Sequence, residues 1–553
     1  MFGTFLSDGT IGESMANLPP KVNRLSLSRF FPAVFVAVLT VSGPADSETP
    51  QITFPDVLAI ELPRDVDAVG PNDSPLRELL NRAHFGPFVV TTDLKRKVGV
   101  GPVRVTWTAW KGAPGAGKPL ATRVGKIIVL PFGITPVGVS GDENATGGNN
   151  AARIVRDSAG YVHMMWVDSG RPGGHTGPVY RRAAMAYDGA VRFETDPIYV
   201  ADGSAEDWNA YPALAVAGQN LQLVWQGAGT AHTRRLSFGT RGWVFGPIID
   251  TGAKSEGRDV GPAVAMDARR VHIVTPSGVY AVSSDGGTTW KTQRVPLPPG
   301  DQIKTASLAV DPSGVVHIAM SVVVTRVPPP NQKLGGYWQL RMIDRSPDGD
   351  WSASVNVLEN DPGWGEPRGS DDVLADWVRI ACDRTAGLHL TWHGTRISRK
   401  FGNDDAYYAW RKPGGSWQTP VQLVAQDPTH GILYSYAPSL ALDGDRALAL
   451  TFYNVLANSD WVGFDAVLVS LRNGRMEAPL GPVTQFVRAA IEAKNPQLAL
   501  SSRFPAAAPT VWRTWDGHLW LDVLELFKSP LEPTDPNLVV YQRLNLTNIS
   551  RRP

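Results

Sequence analysis

Cysteine is nearly missing from this sequence: Cys382 is the only one in 553 residues. That excludes an intramolecular disulfide framework and any multi-cysteine zinc or iron–sulfur site. Net charge is nearly missing too. Lys plus Arg number 53 and Asp plus Glu 52, a balance of +1, so no bulk field draws in nucleic acid or an anionic membrane. Only a local patch would do so. Charged residues are 19 % and hydrophobic residues 43 %, which excludes a mainly disordered chain. Long apolar runs are scarce. The clearest, residues 30–41, follows Lys21, Arg24 and Arg29 and precedes Ser42, Gly43 and Ala45. That is the order of a secretory signal, and the run is too short to span a bilayer comfortably. Residues 1–45 are therefore expected to be an export leader, with Met15 as an alternative start. The mature chain is expected to be secreted or periplasmic, with no stable membrane span.

What is abundant points to β-structure. The chain has 55 Gly, 45 Pro and 18 Trp, a composition of short strands and tight turns. One phrase recurs: an apolar stretch, an Asp or Gly turn, then a second apolar stretch. It reads RIVRDSAGYVHMMW at 153–166, AVAMDARRVHIV at 263–274, SLAVDPSGVVHIAM at 307–320, RIACDRTAGLHLTW at 379–392 and SLALDGDRALALTF at 439–452. Weaker copies lie at 213–225 and 497–512. A second hairpin follows most copies, its turn marked by Gly and an aromatic, as in SPDGDW at 346–351 and KPGGSW at 412–417. Each unit thus holds about four strands, and repeated four-stranded units predict an all-β chain folded as a β-propeller. The copies favour seven blades, with six the alternative if one weak copy fails. Residues 145–525 should form the propeller. Residues 46–85 read as a loose lead-in, 86–135 as a β-rich segment that joins a blade or forms a leading strand, and 526–553 as a tail.

The turn SSDGGTTW at 283–290 carries Ser283, Asp285, Gly287, Thr289 and Trp290 at every fixed position of an Asp-box. With the repeat around it, the chain resembles the Asp-box (BNR-repeat) sialidase-like propeller superfamily. The box itself is structural: Asp and Ser cap turn amides, Gly permits the bend and Trp anchors the hairpin. The resemblance implies action on a carbohydrate. Members of that superfamily use an arginine cluster, a tyrosine nucleophile and an aspartate acid/base. Their Arg-Ile-Pro motif falls here on Asn150-Ala151-Ala152, so the expected arginine is missing and the sialidase residues do not transfer.

In a propeller the segments leading into each innermost strand converge on one mouth of the central channel. They supply the candidate glycan contacts: Asn150, Trp208, Tyr211, Arg258, Asp259, Lys304, Trp377, Tyr434, Tyr436 and Lys494. Aromatic faces stack on sugar rings, and cations bind carboxylates. His163, His272, His317 and His389 recur at one repeat position, which suits packing or hydrogen bonding. His175 and His393 fall outside that repeat and are the acid/base candidates.

Three functions compete. A glycoside hydrolase-like protein acting on an acidic glycan is preferred. A polysaccharide lyase would need a cation, a base and an acid near a uronate; His175, Tyr180 and Arg182, with His393 and Tyr408, supply those types. A non-catalytic glycan-binding propeller is the third. No metal-ligand or cofactor motif is present, so no metal and no cofactor is expected. The expected partner is a glycan or polysaccharide, not nucleic acid, bound by a monomer.

Overall fold

The computed structural model describes residues 34–35, 57–62, 64, 66–74, 76–77, 80, 89–142, 145–147, 150–169, 176–185, 191–201, 210–239, 242–256, 260–324, 338–359, 374–395, 405–423, 432–444, 447–456, 461–472, 475–476, 510–513, 517–527 and 537–545. Nearly all are β. The Asp-box sheet shows the plan: Ala263–Met266, Val271–Val274, Val279–Ser283 and Lys291–Arg294 pair in sequence order, each antiparallel to the next. Sheets spanning 154–193, 210–254, 302–356, 374–422 and 432–476 are built the same way. A further sheet joins Thr510–Arg513, Leu519–Phe527 and Asn537–Asn545 to Ile134–Ser140. Among the described residues, seven sheets follow this plan.

The first strands touch in succession, from Ile154–Arg156 through Ala210–Ala217, Ala263–Met266, Gln302–Val310, Leu374–Cys382 and Ile432–Asp443 to Thr510–Arg513, which returns to Ile154–Arg156. They therefore surround one axis, and the fold is a β-propeller. Burial of both sheet faces explains why the second strands are apolar without alternation: all of Val162–Asp168 and of Val271–Val274 is buried. Trp166, Trp225 and Trp392, near the ends of second strands, are fully buried between sheets.

The Asp-box hairpin forms as its residue types demand. Ser283 Oγ donates to Asp285 Oδ1 (2.7 Å) and accepts from the Gly287 amide (2.8 Å). Asp285 also accepts from the Thr288 and Thr289 amides and the Thr289 hydroxyl. These hydrogen bonds, Thr289's foremost, hold its carboxyl well below the usual range. Trp290 Nε1 donates back to Gly287 O (3.1 Å).

The repeated histidines are structural relays. Nδ1 of His163, His272 and His389 meets the hydroxyl of Tyr180, Tyr280 and Tyr408 at 2.7, 2.6 and 2.8 Å, across to the third strand. Nε2 faces the turn carboxylate of Asp157, Asp267 and Asp383 at 3.4, 3.3 and 3.3 Å. His317 keeps the plan with Asp344 in place of the tyrosine. In the His272 and His389 relays a neutral imidazole that donates to the carboxylate and accepts from the phenol satisfies both ring nitrogens. Burial pushes His272 down to about 4 and lowers His163, while raising Tyr180 and Tyr408.

The chain differs from the sequence expectations at both ends. Within the span expected as a tail, Asn537–Asn545 is the third strand of the closing sheet, and Ile134–Ser140 its fourth. Of the weak copy at 497–512, only residues 510–512 are described. Thr510–Arg513 is that sheet's first strand, followed by the turn at Gly517 (φ 85°). Residues 46–85 are not wholly loose, because Val57–Glu61 is a strand parallel to Ala121–Leu130. With Gly101–Trp110 and Val89–Thr92 it forms a sheet outside the ring, rather than a blade. Only Val34–Phe35 of the expected leader is described. Among the described residues no helix is long and apolar enough to cross a membrane.

Candidate functional site

The innermost strands bend where they begin. In three sheets a register shift falls between Ala210 and Ala213, Asp376 and Arg379, and Tyr436 and Ser439. In each, the residue just after the bulge starts is left-handed: Tyr211 (φ 52°), Trp377 (φ 54°) and Ala437 (φ 43°). Non-glycine residues rarely take this conformation, and such strain concentrates at working sites. The sheet at 302–356 has a comparable shift between Ile303 and Thr305, which leaves Lys304 unpaired in the ladder.

The bulge in Leu374–Cys382 has a direct consequence. Asp376 pairs with His393 and Arg379 with Thr391, so the extra residue brings Asp376 and Arg379 to one face despite their odd spacing. Asp376 Oδ1 accepts from Thr305 Oγ1 (3.0 Å) and from the Trp377 amide (2.7 Å). Burial pushes its carboxyl up to about 6, against those hydrogen bonds and the charge of nearby Lys304. Lys304 is exposed, its ammonium 5.8 Å from the Trp338 ring centre.

Arg379 is the unusual cation. Its Nη1 donates to Asn150 O (3.0 Å), and its Nε has no acceptor. Burial alone acts on it and brings it down to about 10; among the described residues no carboxylate pairs with it. The residue keeps partial solvent exposure. Arg153 occupies the same repeat position on the strand before Ile154–Arg156. It too is buried and lowered to about 10, with Tyr211 and Asp142 offsetting part of the burial cost.

Several sequence expectations need correction. Asn150 is not free for a ligand: it is 3 % exposed, and Nδ2 donates to both Gly261 O (2.9 Å) and Ala306 O (3.0 Å). Its side chain and carbonyl thus tie the segment ahead of Ala263–Met266 to the innermost strands Gln302–Val310 and Leu374–Cys382. Trp377 is buried against Val260 and Ala437, filling the gap between sheets instead of offering a stacking face. Tyr180 and Tyr408 lie inside strands, not loops, and each hydroxyl is held by a relay histidine. Arg182 is buried in the same strand as Tyr180 and ion-paired to Glu194 (2.8 Å). His393 is a buried strand residue whose ring lies 6.2 Å from that of Trp377; burial pushes it down to about 3. Cys382 has its thiol pushed up to about 12 by burial, as an inert cysteine should.

Tyr211 is half-buried and Lys304 exposed. Tyr434 and Tyr436 lie on the innermost strand Ile432–Asp443. His175, Trp208, Arg258, Asp259 and Lys494 lie outside the described residues. The sequence reading passed over Arg379, Thr305 and the carboxyl of Asp376. A signal for Arg379 existed: the repeat position that holds Ala213, Ala263, Ser307 and Ser439 in other copies holds arginine only at 153 and 379.

No protein-family model matches the chain, and no curated protein matches it. Among solved structures, an intramolecular trans-sialidase from Ruminococcus gnavus aligns at 12 % identity over 75 % of this chain and 98 % of its own, with a TM-score of 0.36. An α-L-arabinofuranosidase from Fusarium graminearum aligns at 13 % over 61 % and 98 %, TM-score 0.37. The hydrazine synthase of Kuenenia stuttgartiensis aligns at 12 % over 69 % and 95 %, TM-score 0.39.

Proposed function

We propose that the protein is an exported carbohydrate-active propeller that takes an acidic glycan at the mouth of its channel and acts on it as a glycoside hydrolase. The observation that carries the reading is Arg379. A guanidinium held inside the ring with no described carboxylate to offset its burial is costly, and a ligand carboxylate would complete it with charge-assisted hydrogen bonds. Lys304 adds a second, exposed cation, and Tyr211 a half-exposed ring. Asp376, protonated up to about pH 6, has the acidity needed to donate a proton to a departing sugar oxygen.

A binding-only role is the second reading, favoured by one observation: Tyr180, Tyr408 and His393, three of the acid/base candidates, are buried. The same burial removes Tyr180 and Arg182 from the elimination constellation, which leaves β-elimination without its described base and cation.

Arg379→Met separates a ligand-binding from a structural arginine. The variant is expected to bind acidic oligosaccharides about ten- to a hundredfold more weakly, the worth of a charge-assisted hydrogen bond, with affinity for neutral ones unchanged. Its urea midpoint should be equal or higher, because a buried unpaired charge is gone. Lower stability with unaltered affinity would make Arg379 purely structural and remove the main support for an acidic ligand.

A further inference from the structure

The bulge in Leu374–Cys382 leaves backbone groups that its own ladder does not pair, because Trp377 and Val378 fall between the pairs Asp376–His393 and Arg379–Thr391. The neighbouring sheet meets this need. Ser321 Oγ donates to Ala375 O (2.6 Å), Thr305 Oγ1 accepts from the Val378 amide (3.4 Å), and Ser307 Oγ accepts from the Ile380 amide (3.3 Å). Three hydroxyls of one sheet thus hold the kinked strand of the next, as buried backbone groups require.

Thr305 also reaches a side chain. Its oxygen only accepts from Val378, so its single hydroxyl proton is available elsewhere. That proton goes to Asp376 Oδ1 (3.0 Å), the same oxygen that takes the Trp377 amide (2.7 Å). Thr305 is itself buried and follows the register shift in its own strand, between Ile303 and Thr305. Two bulges in adjacent innermost strands therefore bring the hydroxyl to the carboxyl. The Ser321 hydroxyl stands beside the same carboxyl but gives its proton to Ala375 O. With two donors on Oδ1, Oδ2 is the oxygen left to carry the acid's proton. Among the described residues, the charged and titratable groups around this carboxyl are Lys304 on the adjacent strand, His393 opposite it in the ladder and Arg379 beyond the bulge. Tyr434 and Tyr436 lie on Ile432–Asp443, the innermost strand packed on the other side.

We propose that Thr305 is the positioning residue of Asp376: it holds Oδ1 as an acceptor and leaves Oδ2 to hand its proton to the departing sugar oxygen. This rests on the reading of Asp376 as the proton donor. In the transfer the Oδ2–H bond breaks and the glycosidic oxygen gains the proton, keeping the electron pair of its broken bond to the anomeric carbon. Water adds to that carbon and releases a proton to solvent, from which Asp376 is reprotonated. Between those steps Asp376 is a carboxylate, and the Thr305 hydroxyl and Trp377 amide stabilise its charge.

Thr305→Val removes the hydroxyl at nearly constant volume, and Thr305→Ser keeps it. The titration of Asp376 is read from the protonated-carboxyl infrared band that Asp376→Asn abolishes. The alkaline limb of kcat/KM on sialyllactose and polygalacturonate is read beside it. A hydrogen bond to the ionised form lowers a carboxyl's pKa. Thr305→Val should therefore move both readings up by about one unit, with kcat about tenfold lower, and Thr305→Ser should restore them. A threonine that only packs would lower the urea midpoint in Thr305→Val and leave the Asp376 titration in place, which would overturn the proposal. A wild type that cuts neither glycan counts against the glycosidase reading alone, because the infrared titration decides the role of Thr305 without turnover.

Discussion

Glu61→Ala should lower the stability of the folded chain by about 3–5 kcal/mol, because it strands a buried arginine. Glu61 is 2 % exposed and pairs with Arg543, itself buried, at 2.9 Å. It also accepts from the Gly133 amide (2.8 Å) and from the Thr135 hydroxyl. These partners join three parts of the chain. Glu61 ends the strand Val57–Glu61 of the outer sheet, Thr135 belongs to Ile134–Ser140, and Arg543 belongs to Asn537–Asn545. Beneath them Ala59, Ile128, Leu130, Ile134, Leu538 and Val540 pack together. The pair therefore sits where the outer sheet meets the sheet that closes the ring. Loss of one charge leaves the other unpaired, whereas replacing both with apolar groups is often tolerated. Glu61→Ala combined with Arg543→Met should recover most of the loss in a urea unfolding series. A single variant within about 0.5 kcal/mol of wild type would show a surface-like pair.

Acid should unfold the protein early, between about pH 6.5 and 4. His272 and His393 titrate near 4 and 3 in the folded chain against a usual 6.5. A depressed histidine binds fewer protons folded than unfolded. Its stabilising effect is complete above pH 6.5 and is lost as pH falls toward the folded value. At 1.36 kcal/mol per unit, each costs on the order of 3 kcal/mol by pH 4. His163, also lowered, adds in the same direction. Asp376 works the other way: raised from 3.8 to about 6, it destabilises the fold above pH 6 and returns about 3 kcal/mol as pH falls to 4. The net effect is a loss. Asp376→Asn removes the opposing contribution, so its fall between pH 7 and 4 should be steeper by about 3 kcal/mol. Denaturant midpoints at half-unit pH steps measure both chains. A midpoint that is flat or rising from pH 6.5 to 4 would contradict the buried neutral histidines.

The fold was legible because its signals are local and repeated. Asp157, Asp267, Asp311 and Asp383 each precede a relay histidine by five or six residues, and hairpins depend on such turn chemistry. The ring's closure was not legible in the same way. Ile134–Ser140 pairs with a strand some 400 residues later, and nothing near either segment announces its partner. The site was read less well, for a related reason. Tyr180 and Tyr408 suit an elimination site by residue type, but each belongs to a long third strand and turns its hydroxyl to a histidine. Trp377 and Asn150, expected as glycan contacts, are consumed in packing and hydrogen bonding by the close approach of neighbouring sheets. Arg379 stood in plain view within RIACD, and only comparison of repeat positions separates it from the alanines and serines that most of its counterparts carry.

Product masses test the central claim most directly. Purified protein is incubated with sialosides, uronate polysaccharides and their neutral counterparts, and the fragments are weighed. Hydrolysis at the mouth predicts fragments from an acidic glycan that together exceed the parent by one water per bond cut, with none from neutral chains and none in Arg379→Met. Unsaturated uronate fragments without that water, or an acidic panel left whole, would contradict it.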